Sequence, residues 1–356
     1  MFKFSVKERY QLPSFKFFSN NLPSVHILMP VFNAAPFITK ALSSIDAQTY
    51  PNITLIIFDD GSTDESIEQV NTFLKQHEDW KIKIYIEQTA KNQGISAARQ
   101  FLFNYSRTLN PQAYIFWLDS DDCFKRSDAI STVMQQMRST KADICLFNFS
   151  VSFEDETQKS NAAGLLADKA KTEQMLQAVQ ETESKIVSAL NFDVMQFSSL
   201  GWIKCYAPTI SLPKPEKYPF EDFVYMSALL KANRITALPP QIEIINYLRR
   251  STSTCGKRTP ENFLIHIPAQ LKCLMESIFE DKNNDENTIK IAKMATEFIA
   301  RKINQYRNTL ENLIKAKTDP AFDFELLKKF DLISANLLLE IQNQIEEHFP
   351  QKNYSV

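Results

Sequence analysis

The sequence predicts an α/β fold: a mostly parallel sheet with helices on both faces, followed by an α-helical C-terminal appendage. Three observations predict it. Short apolar runs alternate with helix-period stripes from residue 25 to residue 151. Polar clusters follow the ends of those runs, where ligands bind in open parallel sheets. Beyond residue 256 the pattern turns wholly helical.

VHILMPVF (25–32) is the first apolar run, and Phe37, Ile38, Ala41, Leu42 and Ile45 then recur at helical spacing behind Pro36, a favoured first-turn residue. ITLIIF (53–58) is the second; Ile67, Val70 and Leu74 follow Ser62, Thr63 and Asp64, residues suited to capping a helix. KIKIYIE (81–87) alternates with period two, and Ile95, Ala98 and Leu102 form the third stripe. AYIFWL (113–118) is a fourth strand, with Ile130, Val133 and Met137 behind it, and ICLFNFSV (144–151) closes the series. Strand and helix in strict alternation give parallel strands covered by crossover helices.

Residues 154–185 read as a polar surface excursion with a helix near 168–180; residues 221–232 read as a helix and QIEIINYL (241–248) as a strand. The last hundred residues read as about three helices, broken at 281–287 and at 318–320, with a stripe of Ile291, Ala295, Phe298, Lys302, Tyr306, Leu310 and Leu313 that suits packing. The expected organisation is an extension over 1–24, a catalytic-type domain over 25–255 and a helical domain over 256–356.

Composition excludes several classes of function. Of 356 residues 44% are hydrophobic and 23% charged, enough for a core, and a net charge of −2 supplies no basic field for nucleic acid. Five scattered cysteines without a CxxC pair argue against a disulfide framework and a zinc ribbon. No run of eighteen apolar residues and no signal-type core occurs, so a cytoplasmic location is expected. Only five glycines are present where average usage gives about 25, and four of them lie beside the motifs below.

The most informative motif is FWLDSDDCF (116–124), an apolar strand ending in Asp119, Asp121 and Asp122. Two like charges 4 Å apart repel by roughly 4 kcal/mol at an effective dielectric near 20, so a positive partner is expected. Without a His or Cys pair nearby, these hard oxygen donors suit Mn²⁺ or Mg²⁺ carrying a diphosphate rather than zinc; a solvated helix-capping turn is the bland alternative. FDDGSTD (58–64) offers acceptors for a nucleobase or ribose, or else an ordinary Asp-Gly turn. KNQGISAARQ (91–100) opens a helix whose N-terminus favours an anion, with Lys91 and Arg99 adding charge. No GxxxxGK[ST] loop occurs, which excludes a P-loop NTPase. In FEDF (220–223), Glu221 and Asp222 suit either a helix dipole or a proton acceptor for a hydroxyl nucleophile.

In order and spacing, ILMPVFNAAPFI (27–38), DDGSTD (59–64), NQGISAAR (92–99), LDSDD (118–122), GWIKCY (201–206), FED (220–222) and YLRRSTS (247–253) resemble the family-two, GT-A-type inverting glycosyltransferases of bacteria. The resemblance spans about residues 25–255. It implies a Rossmann-like GT-A fold and transfer of a sugar from a nucleotide sugar to a hydroxyl of a growing surface glycan, such as lipopolysaccharide or capsule, on an acceptor that is in some cases lipid-linked. Pro30, Phe32 and Asn33 would then line the nucleotide pocket, Asp59 and Asp60 would lie near base and ribose, and Asn92 and Arg99 would complete the donor site. Asp121 would face the ribose, Asp122 would hold the metal, and Asp222 would be the catalytic base. Trp202, Lys204, Glu221 and Arg249 would meet acceptor or diphosphate.

Phe32 stands where the family often has Tyr, which keeps stacking but loses a hydroxyl, and Gln100 stands where Asn is common. The extension, with Phe2, Phe4, Phe15, Phe17 and Phe18 among Lys3, Lys7, Arg9 and Lys16, suits either an arm packed on the domain or peripheral contact with an anionic membrane. Two other classes fit parts of the pattern: a non-catalytic nucleotide-sugar-binding scaffold and a nucleotidyltransferase.

Overall fold

The computed structural model describes residues 22–77, 79–154, 205–210, 235–239, 242–250, 286–317 and 319–348, with residues 260 and 264 standing alone. Strands β1 (Val25–Val31), β2 (Ile53–Asp59), β3 (Lys83–Gln88) and β4 (Tyr114–Trp117) alternate with helices α1 (Ile38–Asp46), α2 (Ser66–Gln76) and α3 (Ile95–Leu109). Next come β5 (Cys123–Phe124), α4 (Ala129–Thr140), β6 (Ile144–Leu146), β7 (Asn148–Phe153), β8 (Cys205–Tyr206), β9 (Ile235–Ala237) and β10 (Glu243–Arg249). Two long helices, α5 (Glu286–Ala316) and α6 (Phe324–His348), end the described chain.

The main sheet has the order β3-β2-β1-β4-β8-β6-β9. It is parallel throughout β3 to β4 and between β6 and β9, and antiparallel where β8 joins β4 to β6. Every residue of β1 and β2 is buried, as expected of strands covered on both faces. Alternate residues divide between two layers. Val25, Ile27, Met29 and Val31 pack with Ile38, Leu42 and Ile45 of α1, Val70 and Phe73 of α2, and Ile130, Val133 and Met137 of α4. On the opposite face lies α3: Phe58 stacks on Phe101 with centroids 4.3 Å apart, and His26 Nδ1 lies 2.8 Å from the Ser106 hydroxyl.

Pro30 sits inside the central strand β1, an unusual place for a residue without an N–H. Its neighbour Val31 turns its carbonyl to the β2 side, where it accepts the Asp60 N–H, so Pro30 faces the β4 side. Pairing with β4 has already ended there at Leu28 and Trp117, and no ladder bond is lost.

Three expectations are corrected. The apolar run 144–151 is two strands, not one: β6 belongs to the main sheet, while β7 joins a second sheet of order β5-β10-β7. The chain changes sheet at Phe147, which is buried and stacked on Phe116. Ile95, placed in the α3 core stripe, is 43% exposed, because it is the first residue of the helix and lies beside the loop after β3. In α5 Lys302 and Leu310 of the expected stripe are buried, but Ile299, Ile303 and Ile314 are buried as well, so the covered face is broader than expected. The break at 318–320 does separate the two helices, and Asp323 caps α6 by accepting the Leu326 N–H at 2.8 Å. The helices expected near 168–180 and at 221–232 lie outside the described residues. Cys123, Cys145 and Cys205 are buried free thiols.

Burial, reinforced by Arg107 and Lys83, lowers the His26 pKa from 6.5 to about 4. The unfolded chain therefore takes up this proton first. The stabilisation is complete above pH 6.5 and is lost as pH falls towards 4, by roughly 3 kcal/mol in all. Urea midpoints should fall between pH 7 and pH 5, and His26→Gln should flatten that slope; an unchanged slope would count against this cause.

Candidate active site

The order β3-β2-β1-β4 reverses direction between β1 and β4, and such a switch point opens a crevice at the carboxyl ends of the strands. The loops after β1, β2, β3 and β4 all end on this edge. They carry Phe32 and Asn33, Asp59 and Asp60, Asn92, and Asp119 to Asp122, so most of the donor-site residues expected from sequence converge there, together with Arg99 on α3. Phe32 is 46% exposed, leaving an aromatic face available at the crevice. Pro30 is buried within β1 and contributes shape rather than surface.

Side chains of these loops hold one another. Asn33 adopts φ 50°, and its Oδ1 accepts the Thr63 N–H at 2.8 Å, while its own N–H donates to Ser62 Oγ at 2.9 Å. Ala34 donates to Ser66 Oγ and Ala35 to Asp64 Oδ2, so the first two loops are laced together. Asp59 accepts the Ser62 N–H at 3.2 Å. Gly61, at φ 73°, passes so near residues 91 and 92 that a Cβ would lie 2.8 Å from the Asn92 nitrogen, which only glycine tolerates.

Asp60 is 2% exposed, and its two oxygens accept the N–H groups of Gln93 and Gly94, each at 2.8 Å. The start of α3 was expected to attract a ligand anion; its anion is the protein's own Asp60. Burial raises the pKa of both Asp59 and Asp60 above the ordinary carboxylate value, opposed by these hydrogen bonds. Asn92 is exposed at the rim.

At the DSDD turn the three carboxylates have different surroundings. Asp119 forms a 2.8 Å ion pair with Arg99, whose guanidinium lies 5.2 Å from the Trp117 ring. Asp121 pairs with Arg250 at 2.7 Å, with side-chain exposures of 15% and 22%, and Arg250 also lies 4.8 Å from the Phe37 ring. Asp122 is 1% exposed, and its Oδ1 accepts the Leu248 N–H at 3.1 Å. The positive charge expected at this turn is thus partly supplied by two arginines. Arg99, expected to reach the donor, is held beside Asp119.

Arg250 was missed by sequence reasoning, which favoured its neighbour Arg249. Arg250 is the member of the pair that meets the turn, through Asp121. The doublet was visible in YLRRSTS; the register that chooses between its members was not. Arg249 lies at the end of β10, and its side chain is outside the described residues, as are Trp202, Lys204, Glu221 and Asp222.

Comparison with known proteins follows this geometry. The model of the family described as Glycosyl transferase family 2 matches residues 26–194. An uncharacterized glycosyltransferase of Haemophilus influenzae is 41% identical over 102 residues, 29% of this chain and 38% of the relative. A poly(ribitol-phosphate) beta-glucosyltransferase of Bacillus spizizenii is 25% identical over 299 residues, 83% of this chain and 42% of the relative. The chain therefore spans less than half the length of these curated relatives. The crystal structure of S. aureus TarS 1–349 in complex with UDP-GlcNAc superimposes with a TM-score of 0.60 at 17% identity, covering 94% of this chain and 93% of that one, which shows a shared fold. Sheet order, the crevice with its carboxylate turn and the family match agree: residues 26–194 match glycosyl transferase family 2, and the chain has the GT-A fold.

Proposed function

We propose that this chain is an inverting glycosyltransferase that moves a hexose or N-acetylhexosamine from a UDP-sugar to a hydroxyl of a growing surface glycan. The observation that carries the reading is the convergence of the first four of the motifs, those that follow β1, β2, β3 and β4, on one switch-point crevice, with the exposed ring of Phe32 after β1 and the DSDD turn after β4. The UDP-GlcNAc bound by the TarS structure supports a UDP-sugar donor. The poly(ribitol-phosphate) relative, and a processive diacylglycerol beta-glycosyltransferase of Mycoplasma genitalium 28% identical over 120 residues, support a cell-envelope acceptor.

In this reading the base stacks on Phe32, while Asn33 and Asp59 hold the loops that shape its pocket. Asp121 orients the ribose. Asp222 takes the proton from the acceptor hydroxyl as its oxygen attacks the anomeric carbon in line with the departing diphosphate, inverting the configuration. Trp202, Lys204, Glu221 and Arg249 are assigned to the acceptor or the diphosphate. The hard oxygen donors of the turn fit Mn²⁺ or Mg²⁺. Among the described residues no three His, Cys, Asp or Glu side chains cluster, but Mg²⁺ commonly takes only one or two protein carboxylates with water and phosphate oxygens. Asp122 is the carboxylate assigned to that ion, which when bound would offset negative charge on the leaving diphosphate.

The three-part division at residues 24 and 255 belongs to the same proposal. Among the described residues no helix is long and apolar enough to cross a membrane. Contact of residues 1–24 with an anionic membrane surface would bring a lipid-linked acceptor close. Purified protein with Mn²⁺ should release UDP from at least one member of a UDP-sugar panel when supplied with envelope glycan. Neither release nor nucleotide binding across the panel would overturn the reading.

A further inference from the structure

Among the described residues the exposed large apolar side chains are Phe32, Ile95, Phe324, Leu332 and Leu339. Phe32 and Ile95 lie at the loops after β1 and β3, and the other three lie on α6. Leu332 and Leu339 are 64% and 57% exposed and stand seven residues apart, so they share one side of that helix. The opposite side is the one that packs: Leu326, Leu327, Phe330, Leu337 and Ile341 are buried, and Arg307 of α5 donates to both oxygens of Asp331, at 2.8 and 3.2 Å. This two-point contact fixes the rotation of α6 on α5 and leaves the Leu332 side facing outward.

The two leucines belong to a longer seam. Lys328, Leu332, Ala335, Leu339, Gln342 and Glu346 are all exposed and follow one another at alternating steps of four and three, the spacing of a coiled-coil seam. At 1.5 Å per residue the seam is about 27 Å long. It is cationic at its start, apolar in its middle and anionic at its end. Laid against a copy of itself in the same direction, it would set Lys328 on Lys328 and Glu346 on Glu346. Laid antiparallel about a two-fold axis at residue 337, it layers Lys328 on Glu346, Leu332 on Gln342 and Ala335 on Leu339. Opposite charges then meet at both ends, and the small alanine faces the large leucine. Lys328 also pairs with Glu325 on its own helix, but these side chains are 72% and 69% exposed, and such a pair holds its members weakly.

We propose that α6 is a dimerisation helix, pairing antiparallel with α6 of a second copy of this chain through the seam from Lys328 to Glu346. The order of charges selects a second copy, since the same six residues supply both halves of every layer. The proposal goes beyond the transferase reading and does not depend on it.

The test is sedimentation velocity of the full chain over a concentration series. The wild type should pass from one chain to two as concentration rises. Leu339→Lys should raise the dissociation constant of the dimer by about tenfold or more, since it places a charge at the centre of the seam. Lys328→Glu and Glu346→Lys should each weaken the dimer by setting like charges opposite one another, and the double variant Lys328→Glu/Glu346→Lys should recover most of the loss. That recovery is particular to the antiparallel register, because a parallel pair would keep like charges together in every variant. All three positions are exposed, so thermal midpoints measured on the same samples should stay near that of the wild type. A wild type that is monomeric at every concentration, a dimer indifferent to Leu339→Lys, or a double variant that recovers nothing would each overturn the proposal. So would a monomer that co-sediments with anionic phospholipid vesicles and loses them on Leu339→Lys, which would give this face to a membrane.

Discussion

Asp222→Asn is expected to lower kcat by about 10²- to 10⁴-fold, the usual contribution of a positioned general base, with UDP affinity unchanged. The substitution is nearly isosteric and removes the capacity to take a proton. An acceptor hydroxyl must lose its proton as it attacks, and water at neutral pH is a poor acceptor held in no fixed geometry. The effect should therefore fall on turnover, with the KM for the donor little moved. Single-turnover measurements with a saturating UDP-sugar would separate the two. A variant within threefold of wild type would remove Asp222 from the proposed chemistry and point to its neighbour Glu221, which the Glu221→Gln variant would test.

The second large effect is expected at Asp122, where two roles can be separated by choice of substitution. Asp122→Ala should abolish UDP release and also destabilise the fold by about 1–3 kcal/mol, because the Leu248 N–H loses its acceptor in a partly buried place. Asp122→Asn keeps a side-chain oxygen for that N–H and should recover most of the stability. It lacks the charge that would hold a divalent cation, so release should stay below about 1% of wild type if Asp122 carries the ion. Denaturant unfolding and UDP release on the same two variants decide the matter. Full activity in Asp122→Asn would show that the residue serves only to hold the strap formed by β10.

Much of the architecture was legible in the sequence because burial on both faces writes a strand as an unbroken apolar run. β1, β2 and the apolar strand before the DSDD turn were readable for that reason, and their polar ends marked the crevice. The same property hid the division of residues 144–151, since a run apolar on both faces carries no period to reveal a change of sheet. In α5 the stripe was found at Lys302 and Leu310, while Ile299, Ile303 and Ile314 beside it are buried too, so the covered face is broader than the stripe.

The partners of the carboxylates were the least legible part. Asp121 meets Arg250 and Asp122 meets Leu248, contacts across more than a hundred residues that depend on how β10 registers against β5. The Arg99 to Asp119 pair spans only twenty residues but needs α3 to lie over Trp117, a tertiary fact. Asp60 shows the general difficulty. Its place in DDGSTD suggested a ligand, whereas its two oxygens secure the turn that starts the next helix.

The strands and loops assigned to the base, the ribose and the metal all come from residues 25–122, one continuous segment, while the residues assigned to the acceptor or the diphosphate come from beyond β7. β7 and β10 lie side by side and parallel, so the chain leaves the second sheet beside the Arg249 end of β10 and must re-enter it at the opposite end, where Glu243 pairs with Asn148; whatever lies between has to span the length of that sheet.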